Sequence, residues 1–280
     1  MAKSRQTEKQ TGVCKLTRTE GVFVDSHLIP KAFTKPEQKG LPLIQYGSGV
    51  RPRKRWSSWY DPQLVTQAGE KLLCAIDTWA IAELRKHKLV WSGWGERRTL
   101  GPLHRSITGT PWGIRKLEGI NQGRLRLFLL TLLWRAAATT LAEFSEVDMP
   151  SGDLEQLRQM ICLGNVEPIS FYPAQLTQLS TIGVIHNHAP MARVKTIPTL
   201  DSERPPFDMP IFRFYFDGLI AHIQRHSSDD GYTAELGNMI VGAEETLLIN
   251  TQTYEKSYQQ MNLELIGSNI QVSNLYDLEL

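Results

Sequence analysis

The stretch Cys14-Lys15-Leu16-Thr17, followed by Ser26-His27-Leu28-Ile29-Pro30, decides how the chain is read. The first piece is a turn. Gly21-Val22-Phe23-Val24 then forms an extended segment that delivers His27. Residues 35–60 are rich in Gly, Pro and Lys/Arg and read as a loop or irregular hairpin carrying Arg51-Pro52-Arg53-Lys54-Arg55-Trp56. Asp61-Pro62 signals a helix start, with Asp as cap and Pro in the first turn. The helix is expected to reach about His87, with Leu64, Leu72, Leu73, Ile76, Trp79, Ala80 and Leu84 as its apolar face.

Working outward, residues 91–120 are rich in Gly and Trp and read as structured loop. A helix is expected from about Gln122 to Phe144. Its run Leu-Phe-Leu-Leu-Thr-Leu-Leu-Trp is apolar nearly all round, so it belongs at the centre of a core. Ser151-Gly-Asp-Leu-Glu155 opens a short amphipathic helix ending near Gly164. Strand-like segments follow near 181–187 and 191–197. Residues 210–225 read as a hairpin around Asp217-Gly218, a strong short-range signal. A further strand fits 246–250, and a polar helix fits 252–262. The expected fold class is α+β. Its divisions are a disordered tail (1–12), a small N-terminal module (13–90), a helical region (91–165) and a β-rich part (166–280).

The net charge of +2 hides an asymmetry. Residues 1–60 carry twelve Lys/Arg against four Asp/Glu, a net of +8, and residues 201–280 carry four against thirteen, a net of −9. The basic part suits a polyanion, and the acidic part suits a protein partner or the basic part itself. Cys14, Cys74 and Cys162 are too few and too scattered for a disulfide framework, which points to a reducing compartment. The N-terminus has no apolar signal-peptide core, and the run Leu127 to Trp134 is far below the ~20 residues that span a bilayer. The expectation is a cytoplasmic protein without a membrane segment.

Two segments together resemble a bacterial family related to HNH endonucleases, whose small catalytic unit is a ββα-metal module. They are Cys-x-x-Thr … Ser-His-Leu-Ile-Pro-Lys and Tyr60-Asp61-x-x-Leu-Val-x-x-x-Gly-Glu70. The family reads Cys-x-x-Cys … Ser-His-Ile-Ile-Pro, then Leu-Cys-x-x-Cys-Glu. Arg126-Leu-Phe-Leu-Leu-Thr-Leu-Leu-Trp134-Arg135-Ala and Leu154-Glu-Gln-Leu-Arg158 resemble its next two helices. The likeness covers residues 13–165. It implies a metal-dependent nuclease acting on DNA and, by analogy, antiphage defence. The chain departs from the family at Thr17, Thr66 and Gly69, where the family has zinc-binding cysteines. One thiolate cannot hold a structural zinc, so none is expected, and packing by Trp56, Trp59 and Trp79 is expected to replace it.

The resemblance implies that His27 is the general base, with a Mg²⁺-type ion stabilising the charge on phosphorus. Asp25, Glu70 and Asp77 are the candidate ligands. Asp25 sits one step from Ser26 and so points to the opposite side of the strand, whereas Glu70 and Asp77 share a helix face. The alternative is that His27 only holds its loop, in an inactive protein that docks nucleic acid or a partner. Arg51, Arg53, Lys54, Arg55 and Trp56 are candidates for contacting nucleic acid, the cations on phosphates and Trp56 on a base; a merely solvated basic loop is the alternative. His186 and His188 share a strand face but lack a third ligand, so they read as core or surface histidines, as do His222 and His226. Arg135 is expected to form a buried ion pair with Glu143 or Glu155. Cys74 and Cys162 read as core.

Overall fold

The computed structural model describes residues 10–34, 43–47, 50–197, 206–225 and 236–265. The N-terminal strands are β1 (Thr11–Val13), β2 (Glu20–His27), β3 (Leu43–Gly47), β4 (Val50–Arg55) and β5 (Tyr60–Thr66), followed by helix α1 (Gln67–Lys86). Then come β6 (Arg105–Ser106), β7 (Trp112–Leu117), α2 (Gln122–Ala138) and α3 (Ser151–Leu163). The last third holds β8 (Ala174–Leu179), β9 (Asn187–His188), β10 (Met191–Ile197), β11 (Phe207–Phe216), β12 (Leu219–Gln224) and β13 (Leu247–Gln252). Residues 258–265 are helical. The fold is α+β. No helix among the described residues is long and apolar enough to cross a membrane.

Three sheets form, in the orders β1-β2-β5, β4-β3-β9 and β10-β11-β12-β8-β13-β7-β6. The expected divisions at 90 and 165 are both crossed by pairing. Strand β3 runs parallel to β9, and β7 lies against β13 in the large sheet. One hydrophobic core accordingly runs from Cys14 and Leu16 through α2 to Phe212, Phe214, Phe216 and Ile249. The tail is shorter than expected, because Thr11 and Gly12 already pair with β2; residues 1–9 lie outside the described residues.

Helix α2 is the axis of that core. Leu125, Phe128, Leu129, Leu130, Leu132, Leu133, Trp134 and Ala136 are all buried, as an all-round apolar pattern requires. It stops at Ala138, short of Phe144. Thr139 and Thr140 are β-branched, and Thr139 Oγ1 donates to Asp61 (2.7 Å) instead of leaving that carboxylate to cap a helix. Lys15 Nζ donates to the Ala138 carbonyl (2.8 Å), which places a cation at the helix C-terminus. Its own Arg126 is fully buried and donates to the carbonyls of Val166, Pro168, Phe171 and Tyr172.

Several boundaries differ from the sequence expectation. Asp61 and Pro62 lie in β5, and α1 begins at Gln67. Strand β5 is an edge, where a missing N–H costs no ladder bond, so Pro62 is tolerated. The basic run, expected in a loop or irregular hairpin, lies on edge strand β4, which pairs antiparallel with β3 across a register shift, so the hairpin reading holds. Residues 181–187 are mostly irregular, while β8 forms at 174–179. The Asp217-Gly218 hairpin is present. Both residues have positive φ (49° and 80°), the type I′ geometry that suits twisted strands. Cys74 is exposed and Cys162 half-buried, so only Cys14 is a core thiol.

Candidate functional site

Strands β2 and β5 run antiparallel, with His27 opposite Tyr60 and Ser26 opposite Asp61. Chain direction then carries β5 straight into α1, giving a β-β-α corner. Strand alternation turns Ser26 inward, fully buried, and leaves Asp25 exposed on the other side, as their spacing predicts. Ser26 Oγ donates to Glu70 Oε2 at 2.6 Å. Glu70 stands in the first turn of α1, where the helix N-terminus favours a carboxylate.

His27 is half-buried at the end of β2. Among the described residues its Nε2, shielded from solvent, finds no hydrogen-bond partner. Its backbone carbonyl accepts from Arg135 Nη1 (2.9 Å), and its ring lies 6.4 Å from that of Tyr60, tilted by 55°. Burial pushes the imidazole below its ordinary value. Glu70 and Asp25 pull it up, and Lys31 and Arg135 push it down. The net direction is downward, which favours the neutral imidazole, the form a general base starts from.

Asp77 does not join Glu70. Both its oxygens accept from Arg135, at 2.6 and 2.9 Å, in the bidentate pairing that guanidinium favours. The buried ion pair expected of Arg135 therefore exists, but with Asp77 as the acid. Glu155 instead pairs with Arg158 and Arg18. Among the described residues, no three His, Cys, Asp or Glu side chains gather into a metal cage. What the corner offers is one carboxylate, Glu70, beside one partnerless imidazole, with Asp25 in electrostatic reach. That donor set fits a divalent ion that keeps waters and shares substrate phosphate oxygens.

The four positions aligned with zinc cysteines do converge. Cys14 Sγ accepts from the Thr17 N–H (3.4 Å), Thr66 contributes a backbone hydrogen bond, and a Cβ at Gly69 would lie 2.7 Å from the sulfur. The space has closed around a single thiol. Burial pushes that thiol up, but hydrogen bonds from Thr17, Thr66 and Leu16 outweigh it and hold the thiol below its ordinary value. The tryptophans do not all serve as expected. Trp59 packs on Phe144 and Trp79 lies under Arg124, but Trp56 is 68% exposed.

Arg51, Arg53, Lys54, Arg55 and Trp56 are all exposed on or just after β4. Arg53 and Arg55 are two apart on the regular part of β4, so they share one side at a spacing of about 6.8 Å, while a register shift between Val50 and Arg53 breaks the alternation before Arg51. Trp56 is four residues from Tyr60, so the chain keeps it within about 14 Å of the residue opposite His27. Tyr60, 45% exposed, escaped the sequence reading. Its signal was its place beside Asp61 in the second family-like segment, but only strand pairing sets it against His27.

His186 and His188 are buried. His186 is stacked on Tyr215 and bonded to the Val184 carbonyl; burial holds it down at about 4. His188 lies edge-on to Tyr46, and burial holds it at about 3. His222 is also held well below its ordinary value by burial. His226 lies outside the described residues. No family model matches the chain, and no curated protein or solved structure matches it either.

Proposed function

We propose that the chain is a metal-dependent phosphodiester hydrolase acting on DNA, with His27 as general base. The observation that carries this reading is the partnerless, shielded Nε2 of His27 beside Glu70 in a β-β-α corner. The resemblance to HNH-related proteins supports it. His27 would take the proton from an attacking water. Arg135, anchored by Asp77, holds the His27 carbonyl and so fixes where the ring starts from. Ser26 fixes one oxygen of Glu70, and Glu70 would hold the divalent ion, while Asp25, on the opposite side of β2, is left out of that site. When bound, that ion supplies charge stabilisation at the phosphoryl oxygens and the leaving group. Arg51, Arg53, Lys54 and Arg55 would neutralise substrate phosphates, with Trp56 and Tyr60 offering faces for bases.

A second reading is a non-catalytic docking subunit. It is favoured by Asp77, whose oxygens are both taken by Arg135 and are closed to a metal. Incubating the full chain with single- and double-stranded DNA and RNA in Mg²⁺, Mn²⁺ or Ni²⁺ separates the two. Metal-dependent cleavage of DNA is expected. A chain that binds DNA but cuts nothing under any of these conditions contradicts the hydrolase reading and supports docking.

A further inference from the structure

The large sheet has two unlike faces. Phe212, Phe214 and Phe216 of β11, with Ala221 and Ile223 of β12, enter the main core. The alternate residues face the other way. There Arg213 stands opposite His222 on β12, and His222 stands opposite Gln175 on β8. Lys195 on β10 reaches across to Gln175 Oε1 at 3.0 Å. Arg213 and Gln175 are more than nine-tenths buried, while Lys195 and His222 are half-buried at the rim.

This cluster is under-satisfied. Among the described residues, neither Arg213 nor Lys195 forms an ion pair. Among the described residues Arg213 donates to Gln259, and its guanidinium lies over the Tyr258 ring, with no carboxylate in contact. Gln175 Nε2 and His222 Nδ1 are shielded and have no hydrogen-bond partner among the described residues. Burial holds Lys195 down at about 8 and Arg213 at about 10. Two desolvated cations beside two idle donors are costly unless a counter-charge completes them.

We infer that Arg213, Lys195, His222 and Gln175 form a binding site for a phosphoryl dianion on the outer face of the large sheet. Arg213, His222 and Gln175 stand side by side in register across β11, β12 and β8, and the Lys195 ammonium reaches this row at Gln175. That set matches a tetrahedral oxyanion better than a planar carboxylate, and two fixed positive charges match a dianion. The ligand is inorganic phosphate or the terminal phosphate of a small molecule.

Thermal unfolding of the full chain at constant ionic strength tests this, with phosphate, adenosine monophosphate or chloride added. A saturable rise is expected with phosphate, roughly 5 °C at a hundred times the dissociation constant, and none with chloride. A larger effect of the nucleotide would identify an organic phosphate as the ligand; equal effects would identify the free ion. Lys195→Met should lose the rise while folding normally, since Lys195 is half-buried at the rim and forms no ion pair among the described residues, although Gln175 Oε1 loses its donor. Titration calorimetry of the wild type with phosphate provides a readout independent of the variant. No heat and no saturable rise, or a rise undiminished in Lys195→Met, would overturn the site.

Discussion

Arg135 and Arg213 are both withdrawn from water, and they are met in opposite ways. Arg135 finds a carboxylate with both oxygens presented, a backbone carbonyl and a threonine hydroxyl. Arg213 finds an amide oxygen and an aromatic face. The first arginine ties α1, α2 and the end of β2 together, so its charge is spent on structure. The second has charge left over. Within one chain, then, a buried cation that is fully answered marks the scaffold under the candidate catalytic corner, and one that is not marks a place for something else to bind.

The sharpest way to break that contrast is to remove one partner at each place. Asp77→Ala strands Arg135 without a counter-charge and should cost about 3–5 kcal/mol. Arg213→Met removes an unpaired charge and should be near neutral in the ligand-free protein. Equal, large losses in chemical denaturation would contradict the distinction.

A second test uses pH. His186 bonds to Gln259, the residue that holds Arg213, and both His186 and His188 are kept neutral by burial. Protons bind the unfolded chain first, near pH 6.5, and the folded chain only near 4 and 3. Stability is therefore complete above pH 6.5 and falls as pH drops below it, by on the order of 3 kcal/mol for each histidine by pH 4. The window from pH 6.5 to 5 isolates this effect from most carboxylates. A flat stability across that window would mean that these rings are not held neutral.

The smallest expected effect belongs to the exposed strand. Neutralising Arg51, Arg53, Lys54 and Arg55 together should leave stability within about 0.5 kcal/mol. It should weaken DNA binding and reduce the salt slope by roughly one unit for each phosphate no longer neutralised. An unchanged slope would move the DNA-binding surface away from β4.

Local signals in the sequence were legible where local chemistry decides. Asp217-Gly218 specified its hairpin, and the unbroken apolar run of α2 specified a core helix. Ser26 and Asp25 fell on opposite sides because strand alternation leaves no choice. Failures came where distant residues decide. Strand β8 reads Ala-Gln-Leu-Thr-Gln-Leu, and every residue of it is buried, because the far face of the sheet takes polar groups. Asp61-Pro62 carries a helix-start signal that pairing with β2 overrides. Asp77 looked like a ligand partner of Glu70 because helix spacing aligns them, but Arg135, 58 residues away, claims it. Charge revealed the basic patch, and its Pro and Gly content left loop and irregular hairpin both open until pairing with β3 decided for the hairpin.

The central claim is that His27 is the base for phosphodiester cleavage, and the rate of DNA nicking at saturating Mn²⁺ tests it most directly. His27→Ala should fold and bind as the wild type does, because its backbone carbonyl still receives Arg135, yet nick about 10²–10⁴-fold more slowly at every metal concentration. Glu70→Ala should also slow, but recover in part as metal is raised, since it loses a ligand and not the base. A His27→Ala chain that nicks at the wild-type rate would contradict the account.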